Sequence, residues 1–257
     1  MRKLAFALLA LGMGFASTPS MAASLVYDTF SYSAGNLVPN GGWATFSGSG
    51  TDIQVTAGRA LGSTLNTPDD HVVFAAQSTT TKSYACFDVT IPAFNGQPKP
   101  IYFAMLKDAG TSIFVSRVYV VPVAAGGWTF GISHSSTGPT VGLTPWPVAL
   151  SSGVNYHLVI NYAPVAKTST LWVNPATESS PSVTDTNPAI AAVAVAGFGL
   201  RQASGASSLP PSPPYTGTAD FTFSVDNLGV GTSFVDACEI PTPAQPTTWG
   251  SVKGLYR

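Results

Sequence analysis

The chain has 257 residues, 9% of them charged, with 11 basic side chains against 12 acidic ones. So even a balance, without a basic cluster, excludes the electrostatic footprint of a nucleic-acid or anionic-membrane binder. Few charges and many Ser, Thr, Gly and Val residues suit a β-rich extracellular domain with a hydroxyl-covered surface, and exclude a charged helical bundle.

In chain order, the first signal is Arg2 and Lys3, then an apolar run from Leu4 to Phe15, then small residues ending at Ala22. This order reads as a secretory signal peptide over residues 1–22. The run falls short of the roughly 20 apolar residues a membrane span needs, and no transmembrane segment is expected elsewhere. The mature protein is expected to be secreted or held at the cell surface. Without Arg2 and Lys3, nine basic residues face 12 acidic ones, a balance of −3. The roughly 235 residues that follow can bury one large β-sandwich core.

From Leu25 to Phe46, short apolar or aromatic runs alternate with turn signals at Gly35-Asn36 and Asn40-Gly41-Gly42, and Asp28 falls in the first strand. Strand-length pieces follow at Ile53 to Val55, Ala60 to Leu61 and His71 to Ala75. Tyr84 to Ile91 is a stronger strand, with Tyr84, Cys86, Asp88 and Thr90 opposite Ala85, Phe87, Val89 and Ile91. Ile101 to Leu106 is next. Ile113 to Val121 is apolar on both faces, as in a sandwich interior, and forms a hairpin with Trp128 to Ser133. A long loop from His134 to Gly153 carries Trp146 between two prolines.

The clearest unit is Tyr156 to Pro175. Tyr156, Leu158, Ile160 and Tyr162 share one face of a strand, with His157, Val159 and Asn161 on the other. After a turn through Ala163 to Lys167, Leu171 and Val173 are expected in the core and Thr170 and Trp172 outside. A Ser/Thr/Pro stretch from Ala176 to Pro188 precedes Ala189 to Arg201, whose Ala content leaves helix open but whose Val193, Val195, Phe198 and Leu200 favour a strand. Gly205 to Gly217 is a proline-rich loop, and Phe221 to Val230 is the last strand. Residues 237–248 read as a Pro/Thr-rich linker and 249–257 as an end box, in which Trp249, Val252, Leu255 and Tyr256 share one side of a short helix.

The segments YDTFSYSAGNL, GGW, RVYVVP, GGWTFGIS, YHLVINY, LWVNP, GFGLRQ and VDNLGVGTSF, in that order, resemble the laminin-G-like, concanavalin A-like jelly-roll modules of exported bacterial proteins. The resemblance covers Ser24 to Asp236 and defines a domain over residues 23–236. It implies an all-β fold, an antiparallel two-sheet jelly-roll sandwich with the first and last strands adjacent. The fold itself hosts lectins, glycosidases and structural domains. The tail resembles a sorting tag, with export or sorting machinery as its partner, although no anchor helix or terminal basic cluster accompanies it; the alternative is an ordinary disordered end.

Candidate sites follow from residue chemistry. Glycan binding needs flat aromatic faces and hydrogen-bonding side chains. His157, Asn161 and Trp172, with Arg117 and Tyr119 from a neighbouring strand, would make such a patch; the alternative is a solvated sheet face. Trp146 is a second aromatic platform. Asp28, Asp226 and Asn227 would meet if the terminal strands are neighbours, and could hold a structural calcium; otherwise they bond local backbone. Cys86 and Cys238 either pair as a disulfide or are separate small core residues. The two glutamates, Glu178 in a loop and Glu239 in the tail linker, show no paired-carboxylate spacing. The reading is therefore a non-enzymatic recognition module for glycan or another surface polymer, with a structural surface-layer component as the alternative and a glycoside hydrolase as a weaker one.

Overall fold

The computed structural model describes residues 24–94, 100–123, 127–134, 142–202 and 221–239. The segments read as a signal peptide, a proline-rich loop and an end box, and the expected linker beyond Glu239, lie outside the described residues.

Alternating sequences form the strands, and their order generates two sheets. β1 (Val26–Asp28), β2 (Gly35–Asn36), β3 (Trp43–Ser47), β4 (Gln54–Thr56), β5 (Arg59–Ser63) and β6 (Asp69–Val73) are short pieces divided between both sheets. The long strands are β7 (Ser83–Thr90), β8 (Ile101–Lys107), β9 (Phe114–Pro122) and β10 (Trp128–Ser133). After β11 (Thr144–Pro145) come β12 (Asn155–Ala163), β13 (Thr168–Val173), β14 (Val183–Thr186), β15 (Gly197–Leu200) and β16 (Thr222–Gly231). Sheet A runs β14-β13-β12-β7-β16-β5-β4-β2, with β1 also on β16; sheet B runs β11-β10-β9-β8-β15-β6-β3. Every pairing is antiparallel, and the protein is a jelly-roll sandwich.

The central hairpin has the register its pattern predicts, with Leu158 opposite Val173 and Ile160 opposite Leu171. Tyr156, Leu158, Ile160, Tyr162 and Leu171 are buried between the sheets with Phe87, Phe103, Phe130, Phe198 and Phe223, and Val173 packs at the margin of that core. Burying each large apolar side chain contributes about 1.5–3 kcal/mol. The expected neighbouring of terminal strands also holds, since β1 pairs with β16 through Tyr27 and Gly229.

Elements also form where the sequence suggested a turn or a loop: β2 at Gly35-Asn36 and β11 within the expected loop from His134 to Gly153. β14 lies inside the Ser/Thr/Pro stretch, where Thr170 and Thr184 oppose each other across the sheet and share a 3.0 Å hydroxyl contact. A short helix, α1 (Phe234–Cys238), crosses the expected boundary at residue 236, and Ala237 is buried. Its start is a cap: the Ser233 hydroxyl accepts a hydrogen bond from the Asp236 amide at 3.1 Å. Among the described residues, no helix is long and apolar enough to cross a membrane.

Candidate functional site

The outer face of sheet A is built by strand alternation and register. β7 and β12 place Asp88 opposite His157, Cys86 opposite Val159 and Tyr84 opposite Asn161, while β13 brings Trp172 beside Val159. Helix α1 then folds over this face. Gly229 and Gly231 permit the approach, because a Cβ at Gly229 would run into the Ala237 carbonyl and one at Gly231 would lie 2.7 Å from Asp236 Cβ. Phe234 packs edge-on against Trp172, with ring centres 5.8 Å apart, and against Tyr84 at 6.5 Å. A disulfide between Cys86 and Cys238 ties the helix to β7, with Cα atoms 5.2 Å apart.

A chain of polar contacts crosses the same face. Asn227 Nδ2 donates to Asp88 Oδ2 at 2.9 Å, Asp88 Oδ1 lies 2.7 Å from His157 Nδ1, and His157 Nε2 lies 3.1 Å from Cys86 Sγ. Asn227 reaches Asp88 from a bulge in β16, where its φ is +51°. The hydrogen bond with His157 is the main reason the Asp88 carboxyl is held below its ordinary pKa, against the opposing effect of burial.

Beside this chain, α1 and the loop after β13 border an open cavity of about 380 Å³, lined by His157, Glu178, Glu239, Phe234, Val235 and Cys238 among others. Ser180 organises the loop, its hydroxyl accepting from the amides of Ala176 and Thr177 at 3.1 Å each. Glu178 is fixed at both ends: Tyr84 OH donates to its Oε1 at 2.6 Å and Trp172 Nε1 donates to its carbonyl at 3.1 Å. Burial, then the bond to Glu178, pushes the Tyr84 hydroxyl pKa up, so it remains a donor. The His157 side chain is 38% exposed and borders the cavity. The cavity thus offers two carboxylates and an imidazole beside an apolar wall, groups that can hydrogen-bond hydroxyls or exchange protons.

The expected patch does not assemble as drawn. His157, Asn161 and Trp172 lie on sheet A, but Arg117 and Tyr119 lie on β9 in sheet B, and Trp146 follows β11 at the edge of sheet B. The outer residues of β9 point away from those of β12 because the hydrophobic core separates the two sheets. Trp172 is only 5% exposed beneath α1, so it is not an open platform. Asn161 is 4% exposed, and its buried Nδ2 has no hydrogen-bond partner among the described residues. Trp146 is half-buried, its amide bonded to the Phe130 carbonyl at 2.7 Å.

On the outer face of sheet B, Arg117 and Tyr119 join residues the sequence reading missed. The guanidiniums of Arg117 and Arg201 lie 4.8 and 4.4 Å from the Tyr102 ring centre, and Tyr119 lies 5.5 Å from Tyr102. All four side chains are buried.

The candidate calcium ligands bond to protein groups. Asp28 accepts from the Phe30 amide, Tyr32 OH and Trp43 Nε1 at 2.7, 2.9 and 2.7 Å. Asp226 accepts from the Asn227 amide at 2.8 Å and faces Arg59 at 3.4 Å, while the Asn227 amide group serves Asp88.

The fold defines the class as a jelly-roll β-sandwich, and solved structures of that class span enzymes and binding modules. No protein-family model and no curated protein matches the sequence. The alginate lyase Aly36B superposes over 82% of this chain and 97% of its own, with a TM-score of 0.55 and 12% identity. The CBM2 module of the evolved Dit of Lactobacillus casei BL23 phage J-1 covers 82% of this chain and 96% of its own, at 0.54 and 12%. A sialidase matches 84% of this chain at 0.53 and 14%, but this chain spans only 19% of its length.

These neighbours correct the expectation of a non-enzymatic protein, since the same sandwich occurs in an alginate lyase and a sialidase. The two glutamates lack paired spacing in the sequence, yet tertiary structure brings them together. Glu178 and Glu239, a loop and a tail residue, line one cavity with His157. Ser233 and Asp236, a capping pair just before Cys238, were the local signal that a helix starts here, but not of where it docks.

Proposed function

We propose that this protein binds a neutral polysaccharide in the cavity between α1 and the loop after β13. The observation that carries this reading is the convergence of Glu178, Glu239 and His157 beside Phe234 and Val235. Carboxylates and imidazole suit sugar hydroxyls, and the apolar wall suits the C–H face of a sugar ring. Two glutamates at the rim, with Asp88 behind His157, disfavour a polyanionic chain. The reading also takes the module as a laminin-G-like version of the sandwich, exported by its signal peptide and held at the surface through its tail, with a glycan or another surface polymer as partner.

The test is affinity electrophoresis and calorimetry of the chain against neutral, amino-sugar and uronate polysaccharides, with polymer length measured after incubation. Binding is expected to favour neutral chains. Glu178→Gln and Glu239→Gln should each weaken it about tenfold or more, since hydrogen bonds to charged groups contribute roughly 1.5–3 kcal/mol. Shortening of the polymer that disappears in these variants would assign turnover to the same cavity. Binding unaffected by both substitutions would refute the site.

A further inference from the structure

We propose that, when its disulfide is reduced, the chain forms a zinc site from the thiolates of Cys86 and Cys238 and the imidazole Nε2 of His157. One ligand atom from each of these three residues lies within 4.8 Å of the other two, and His157 Nε2 already lies 3.1 Å from Cys86 Sγ. Zinc holds thiolate sulfur at about 2.3 Å and imidazole nitrogen at about 2.0–2.1 Å, so the ligands need only small shifts to surround an ion. Cys238 sits at the end of α1, where such a shift strains no strand pairing.

The residues behind the ligands fit the same purpose. A metal-bound histidine commonly gives its other ring nitrogen to a carboxylate, which fixes the ring and raises its basicity. His157 Nδ1 has that partner in Asp88 Oδ1 at 2.7 Å, and Asn227 holds the other carboxylate oxygen at 2.9 Å. Two thiolates neutralise the charge of zinc, and the cavity bounded by Glu178 and Glu239 gives access to a fourth position. Three protein ligands with one open position are the pattern of a site that takes water or substrate, so the inference goes beyond glycan binding and does not depend on it.

The redox step balances with a trialkylphosphine as reductant. The phosphine gives two electrons to the S–S bond, and water supplies oxygen to form the phosphine oxide and two protons to form two thiols. Zinc then displaces both thiol protons to the buffer as the two S–Zn bonds form.

The experiment titrates the full chain with cobalt(II) under anaerobic conditions, before and after phosphine reduction, and then adds zinc. The reduced chain should take one equivalent of cobalt, with a thiolate-to-cobalt charge-transfer band and strong visible bands of tetrahedral cobalt, and zinc should abolish both. The oxidised chain should show neither. His157→Ala should lose the tetrahedral bands, and Asp88→Asn should keep them with affinity lower by about 10–100-fold. A reduced wild-type chain without these bands overturns the proposal, as does a His157→Ala spectrum identical to wild type. If circular dichroism shows His157→Ala unfolded, Asp88→Asn decides, and an unchanged cobalt affinity there refutes the site. No glycan enters the assay, so its failure is distinct from failure of the polysaccharide reading.

Discussion

Breaking the bond between Cys86 and Cys238 should cost the protein more stability than any single core contact on this face. The two residues are 152 positions apart in sequence, so the bond closes a loop across most of the domain. On the chain-entropy relation, a loop of that length restricts the unfolded ensemble by about 5 kcal/mol at 25 °C. Reduction also frees α1 from β7, leaving Phe234 and Ala237 to hold the helix over Trp172 and Tyr84. Urea unfolding of the oxidised chain, and of the chain reduced by phosphine with a chelator present, measures the difference. Trp172 fluorescence, isolated by comparison with Trp172→Phe, follows the helix separately. The expected result is a midpoint lowered by several kcal/mol divided by the m-value, with Trp172 becoming more exposed before the global transition. A loss below about 1 kcal/mol would refute the account, because the unfolded chain would then gain little freedom from reduction.

Trp172→Ala should destabilise the chain by about 3–5 kcal/mol in urea titrations, as expected for a buried aromatic side chain; a cost below about 1 kcal/mol would mark Trp172 as a solvated surface residue. Asp70 predicts a pH dependence of the opposite sign to most carboxylates. It is fully buried, one carboxylate oxygen lacks a hydrogen bond among the described residues, and burial raises its pKa from 3.8 to about 6. A raised folded pKa favours the native state below pH 3.8, and that advantage is lost as pH rises through about 6. Above that pH the charged group therefore costs about 3 kcal/mol, at about 1.36 kcal/mol per pKa unit. Asp70→Asn should gain stability over wild type progressively between about pH 4 and about 6.5; a stability difference that does not change across that range contradicts the buried-charge argument.

The period of two along Tyr156 to Tyr162 and its match in Leu171 and Val173 made the central hairpin and its core face legible in the sequence, because each side chain's face depends only on local alternation. Tyr84, Cys86 and Asp88 were assigned to a common face for the same reason, and the all-β sandwich followed from many such strands. Alternation gives the face within a strand but not the sheet to which the strand belongs. Arg117 and His157 therefore looked compatible with one patch, whereas β9 and β12 lie in different layers. Asp88 meets His157 only through the register of β7 with β12, and Glu178 shares a cavity with Glu239 only because α1 docks on this face. Local residue pattern determined the long strands and their buried faces; long-range pairing and the docking of one short helix determined the site, since contacts distant in sequence leave no mark on the periodicity of either partner.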